Sequence, residues 1–178
     1  MATAKWTLDP THSDIQFKIR HLMITNVTGS FGKFTASVET EDENFDTAAI
    51  NFTAEVDSLT TNNEQRDGHL KSADFFEIAK YPTLAFKSTS FEKVSAEEYT
   101  LHGDMTFHGV TKKIKLEVEN GGVIKDPWGN KRAGFTLEGK INRKDFGLVW
   151  NAATEAGGLV VGEEVKLHAN VEFIREAS

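Results

Sequence analysis

Val165-Lys166-Leu167-His168-Ala169-Asn170-Val171-Glu172-Phe173 alternates apolar and polar side chains without a break. Successive side chains of a β-strand point to opposite faces, so this segment has one hydrocarbon face and one wet face. Working outward, the same pattern recurs. Tyr99, Leu101, Gly103, Met105 and Phe107 alternate with Thr100, His102, Asp104 and Thr106, and Ile15, Phe17 and Ile19 with Gln16, Lys18 and Arg20. Further stripes are Phe34, Ala36, Val38; Ile50, Phe52, Ala54, Val56; Ile114, Leu116, Val118; and Phe135, Leu137, Gly139, Ile141. Trp6 and Leu8 open a short first strand that Asp9-Pro10 stops. Leu84 and Phe86 share a face, but Phe91 has the opposite parity, which predicts a bulge between them. Roughly eight such segments in one chain predict an all-β sandwich or closed antiparallel barrel.

The interruptions are few. Thr61-Asn62-Asn63-Glu64 has the form of a capping box, in which Thr and Glu satisfy each other's free backbone N–H groups. It predicts a short helix over about 61–71, weakened by Gly68. Asp74-Phe75-Phe76 is read as a further helical turn before Pro82. Gly29 and Gly32 are read as a loop, as are Gly121-Gly122 and Asp126-Pro127-Trp128-Gly129. Residues Asn142 to Gly162 lack periodicity and carry Gly147, Gly157 and Gly158; a loop that long in a compact domain is usually functional or mobile. With no linker, repeat or low-complexity tract, residues 1–178 are expected to form one domain.

Composition narrows the function classes. The formal charge of −7 and a pI of about 5.4 argue against nucleic acid as the main partner. No basic run suits an anionic membrane, and no apolar run reaches transmembrane length. Met1-Ala2-Thr3-Ala4-Lys5-Trp6 lacks the apolar core of a secretory signal, so the expected location is cytoplasmic. No cysteine is present for disulfides or thiol chemistry. The Walker, dinucleotide, zincin and nucleophile-elbow motifs are absent. Asp145-Phe146-Gly147 spells the kinase triplet in a chain whose size and pattern do not suit a kinase.

Six histidines invite a metal reading, but no pair has a local zinc-site spacing, and no metal or cofactor is expected. His102, His108 and His168 share the polar parity of their strands and are expected to face solvent; His12, His21 and His69 lie near strand ends or on the helix. Arg66 shares a helix face with His69 and Leu70. Either these polar residues meet a head group at one end of the barrel or they pin the helix there, and the second reading is favoured. The apolar stripes carry a similar ambiguity. Small barrels either fill themselves with side chains or hold one ligand. The inward series includes Ala36, Ala54, Gly103, Gly139 and Ala169, whose small side chains leave volume unfilled.

The chain resembles the YceI family over nearly its whole length. The resemblance is carried by Trp6-x-Leu8-Asp9-Pro10-x-His12-Ser13, Phe17-x-Ile19-x-His21-Leu22 and Gly29-x-Phe31. It continues through Arg66-Asp67-x-His69-Leu70-x-Ser72-x-Asp74-Phe75-Phe76, Tyr81-Pro82, Phe86-x-Ser88-Thr89 and Gly103-Asp104-Met105-Thr106-x-x-Gly109-Val110-Thr111. Ala133-Gly134-Phe135 and Asp145-Phe146-Gly147 complete it. The resemblance implies an eight-stranded antiparallel, lipocalin-like extended β-barrel with a short helix at one end. It also implies an apolar tunnel for long amphiphiles such as polyisoprenoids and fatty amides. Many such proteins are periplasmic behind a signal peptide, which does not carry over to a chain that starts at its first strand.

The expected function is therefore non-enzymatic binding, storage or transport of a long-chain lipid, without stable membrane insertion and with a homodimer as an option. The alternatives are a stress-related structural protein with a filled core and a hydrolase acting on a bound head group. The expected tail-lining residues are Phe17, Ile19, Phe34, Val38, Phe52, Phe86, Leu101, Met105, Phe135 and Leu167. Phe146 and Trp150 are candidates for a mobile portal, and His21, Arg66, His69 and Arg143 for head-group contact.

Overall fold

The computed structural model describes residues 3–22, 24–151 and 161–176. The strands are β1 (Thr3–Leu8), β2 (Asp14–His21), β3 (Thr25–Phe31), β4 (Phe34–Glu41), β5 (Asn44–Glu55), β6 (Leu59–Thr60), β7 (Thr83–Lys93), β8 (Glu98–Phe107), β9 (Val110–Lys125), β10 (Lys131–Asn142) and β11 (Val161–Arg175). One α-helix of regular length, α1 (Glu64–Lys71), is joined by short 3-10 turns at Pro10–His12, Val56–Ser58 and Arg143–Phe146. No helix among the described residues is long and apolar enough to cross a membrane.

Antiparallel pairing runs β1-β4-β5-β7-β8-β9-β10-β11, and β11 returns to β1, so eight strands close a barrel. β11 is long enough to serve two partners. Its end pairs with β1 (Leu8↔Phe173), and its earlier part pairs with β2 (Val165↔Ile19 through Asn170↔Asp14). Asp9-Pro10 and the turn at Pro10–His12 separate β1 from β2 along this shared neighbour. β3 continues from β2, and among the described residues its other edge meets only the two-residue β6, at Ser30↔Thr60 and Phe31↔Leu59. Among the described residues the rest of that edge carries no ladder, and α1 packs beside β6.

Period two governs the interior. Along β8, Tyr99, Leu101, Gly103, Met105 and Phe107 are buried while the residues between them are part-exposed. The register shift between Ser88 and Ser90 accounts for the parity of Phe91, which stacks on Tyr99 at 4.4 Å. One end of the barrel is packed solid. Trp6, 1% exposed, donates its indole N–H to Thr40 Oγ1 (3.1 Å), and its ring lies 4.9 Å from Phe45. Phe45 meets Phe135 at 5.1 Å, and Phe135 meets Phe173 at 6.2 Å.

An ionic latch holds the same end. Arg132 Nη1 donates to Asp9 Oδ2 (2.8 Å) and Glu172 Oε2 (2.9 Å), and its Nε to Asp126 Oδ2 (2.7 Å). Asp9 also accepts from Thr11 N and Oγ1, and His12 Nδ1 lies 2.8 Å from its Oδ2. Hydrogen bonds from Thr11 first, then Arg132, hold the Asp9 carboxyl well below the usual carboxylate range. Asp9, His12 and Glu172 are close enough together to suggest a cation site, but the Arg132 guanidinium already bridges the two carboxylates. Glu43 accepts from both Lys131 and Arg175 nearby.

Several local expectations are corrected. Gly29 is not in a loop: Thr25–Phe31 is strand β3, and a glycine is needed where the tip of the Phe17 ring occupies the space of a side chain. A Cβ there would sit 2.2 Å from Phe17 Cζ. β9 runs through Gly121-Gly122, and the irregularity is absorbed as a register shift at Gly134/Phe135. The helix is capped by Asn63, whose Oδ1 accepts from Arg66 N at 3.0 Å, rather than by Thr61 and Glu64; Thr61 is held instead by Asp67 Oδ1. Asp74-Phe75-Phe76 lies in turns, not in a helix. His108 does not face solvent. It and Gly109 form a tight turn with φ of 53° and 72°, which breaks strand parity. Its side chain, 16% exposed, lies with Nδ1 3.0 Å from Phe146 O and its ring 5.0 Å from Tyr81. His102 and His168 are part-exposed beside Glu92 and Glu138. Gly157-Gly158 lies outside the described residues.

Candidate functional site

Above the aromatic floor the barrel is not filled. An inner chamber of about 150 Å³ has an entirely apolar wall, and an outer chamber of about 420 Å³ reaches to α1. Ligand pockets typically span roughly 300–1,000 Å³, so the outer chamber alone has the size of one. Phe17, Phe31, Leu84, Met105 and Leu167 border both chambers and stand at the neck that separates them.

Strand parity explains most of the lining. Val38, Phe52, Phe86, Leu101 and Phe135 face the inner chamber, Ile19 the outer, and Phe17, Met105 and Leu167 both. Trp150, His21, Arg66, His69 and Arg143 all line the outer chamber. Two of the expected residues lie elsewhere. Phe34 borders neither chamber and packs on Phe52, with ring centroids 6.2 Å apart. Phe146, 1% exposed, borders neither and stacks on Phe107 at 4.2 Å. The volume left by small residues is also uneven. Ala36 and Ala169 line the inner chamber, but the Phe86 ring fills the notch at Gly103 and Leu116 that at Gly139.

Sequence reasoning missed Phe31, Phe75, Phe76 and Leu148. Phe31 was hidden by the glycines beside it, although Val27, Gly29 and Phe31 share one parity. Phe75 and Phe76 lie in turns and Leu148 in irregular chain after Gly147, where no periodicity marks a face.

The roof of the outer chamber is built from α1 and the turns after it. Arg66 donates Nε to Thr61 Oγ1 and Nη2 to Thr61 O, both at 2.8 Å. His69 Nε2 lies 2.8 Å from Asp74 Oδ2, and its ring meets Phe75 and Trp150 edge-on at 5.1 and 4.7 Å. Arg143, 2% exposed, donates Nε to Gly162 O (2.8 Å) and Nη1 to Leu148 O (2.6 Å), with Nη2 3.5 Å from Val161 O. It thus ties the segment after β10 to the start of β11. Burial pushes its guanidinium below its ordinary pKa, and Glu163 acts in the opposite direction.

Comparison with known proteins agrees with this architecture. A family model described as a YceI-like domain matches residues 6–173. A UPF0312 protein of Staphylococcus aureus is 40% identical over 169 residues, covering 94% of this chain and 96% of that protein. The crystal structure of the YCEI protein of Campylobacter jejuni matches with a TM-score of 0.76 at 33% identity, over 89% of this chain and 90% of that one. A polyisoprenoid binding domain from Saccharophagus degradans has the same fold, with a TM-score of 0.70 at 16% identity over 96% of this chain and 98% of that one.

Proposed function

This chain belongs to the YceI-like family, and on that premise we propose that it binds the hydrocarbon tail of a long-chain amphiphile inside its barrel, as a carrier or store rather than a catalyst. The single observation that carries the reading is a pair of chambers that share five bordering residues: a wholly apolar inner space lies next to a larger, mostly apolar one. A filled structural core accounts poorly for that, because well-packed interiors leave few voids larger than a water molecule. The polyisoprenoid binding of the Saccharophagus degradans domain favours an isoprenoid or fatty-acyl tail here.

The energetics suit such a ligand. Each buried methylene contributes about 0.8 kcal/mol, so about ten contribute roughly 8 kcal/mol gross. Ordering the tail offsets part of this, and micromolar binding remains within reach. The wall discriminates between tails by length and girth, since it offers no hydrogen bonds to tell one hydrocarbon from another. Work in the cytoplasm is part of the same proposal.

The test is native mass spectrometry of protein purified without detergent, followed by delipidation and titration with polyprenyl and alkyl probes. We expect a co-purified lipid and re-uptake of probe at one molecule per barrel. Delipidated, folded protein that takes up neither kind of probe would refute the reading.

A further inference from the structure

The chain carries a net charge of −7, yet the outer chamber shows the opposite sign. Among the described residues that line it are Arg20, Arg66 and Arg143, with His21, His69, Asn63 and Gln65, and no Asp or Glu. Acidic residues outnumber basic ones by 27 to 20 over the whole chain, so a lining with three arginines and no carboxylate runs against composition.

Among the described residues, the hydrogen-bond partners of two of these arginines are neutral. Arg66 donates to the hydroxyl and carbonyl of Thr61. Arg143, almost wholly buried, donates to the carbonyls of Gly162 and Leu148, while Nη2 has only a 3.5 Å contact. Glu163, the acid that acts on Arg143 through space, is itself held by Lys144 Nζ at 2.6 Å. A buried guanidinium without a carboxylate partner is costly, and an anion delivered with a ligand lowers that cost. Guanidinium groups also match carboxylates and phosphates geometrically, through paired N–H donors.

We propose that the outer chamber recognises an anionic head group, a carboxylate or a phosphate, on the chain whose tail enters the barrel, with Arg66 and Arg143 as its donors. This rests on the tail-binding reading and adds a sign to it. The tail supplies most of the affinity from apolar contact, and the arginines select among amphiphiles of equal length. Arg143, 2% exposed, shares the chamber wall with Ile141, Leu148 and Val165, so a head group that reaches it is drawn out of water. Charge-assisted hydrogen bonds are strongest in such surroundings.

The experiment compares matched pairs on delipidated full-length protein by calorimetry at moderate salt: hexadecyl phosphate against hexadecanol, and palmitate against palmitamide. The anionic member of at least one pair is expected to bind about tenfold more tightly, the ratio that one charge-assisted hydrogen bond supports. The pair that shows the preference tells phosphate from carboxylate. Arg66→Gln should lower the ratio of anionic to neutral affinity within the pair, with circular dichroism reporting that the variant is folded. Arg66→Lys should restore part of that ratio. Arg143→Lys, which keeps a charge but loses the fork, should lower the same anionic-to-neutral ratio. Equal affinity within both pairs, or a preference unchanged by both Arg66→Gln and Arg143→Lys, overturns the proposal and leaves tail binding standing. Failure of all four lipids to bind removes the tail reading and this inference with it.

Discussion

The inner chamber makes chain length a measurable property. Ala36 lines it from β4, opposite Phe52, and is buried. Ala36→Phe places a phenyl ring in a space of about 150 Å³. An engineered apolar cavity of about 150 Å³ accommodates a benzene molecule, so one ring is enough to fill the chamber. A tail that reaches past the neck buries about four methylenes there, and losing them costs about 3 kcal/mol, or roughly 150-fold in affinity. Short tails that end in the outer chamber lose nothing. The assay is calorimetric titration of an alkyl series, from octyl to hexadecyl with one head group, against wild type and variant. The wild-type affinity should keep rising with length, while that of the variant should level off once the tail reaches the neck. Because the substitution fills a void rather than a packed site, the melting temperature should change little, with any overpacking costing about 1 kcal/mol. Parallel length profiles in the two proteins would refute the idea that tails enter the inner chamber.

Two further outcomes concern the scaffold. Asp9 has its carboxyl pKa depressed, chiefly by Thr11 and Arg132, so it stabilises the fold above its unfolded value of about 3.9, and that contribution is lost as pH falls through the folded value. Asp9→Asn should therefore cost about 2 kcal/mol in urea unfolding at neutral pH, with the gap to wild type narrowing as the solution is made strongly acidic; a gap independent of pH contradicts the latch. Gly103→Ala places a Cβ 2.3 Å from Phe86 Cζ and 2.5 Å from the Lys87 carbonyl oxygen. The backbone cannot yield as a side chain can, so a loss of about 2 kcal/mol or more is expected by the same method, and an unchanged midpoint would show that Phe86 is not held there.

Strand parity carried most of the architecture, because a barrel wall is half core and half surface and each strand records both. It failed where tertiary contact overrode local preference. Gly29 reads as a breaker, yet it is a seat for Phe17, a residue far enough along the chain that no local window joins the two. Thr61 and Glu64 spell a cap, but Asp67 takes the threonine and Asn63 does the capping. Parity also marks direction, not vacancy. Gly103 and Ala36 both point inward, and only the second opens on a chamber, because Phe86 lies over the first. Arg66 and His69 were visible as one helix face, but their meeting with Arg143 and His21 around one chamber depends on how the chain folds α1 back beside β6, which no local pattern records. Phe146 was misplaced because the turn at Arg143–Phe146 sends it against Phe107 instead of toward the rim.

The aromatic floor formed by Trp6, Phe45, Phe135 and Phe173 makes the barrel a blind tube. On the proposed function, a guest in such a vessel would go in tail foremost and come out head foremost at the α1 end. A donor and an acceptor of that guest would then take turns there, and hand-over would be governed by how fast the first withdraws and not only by how tightly the guest is gripped.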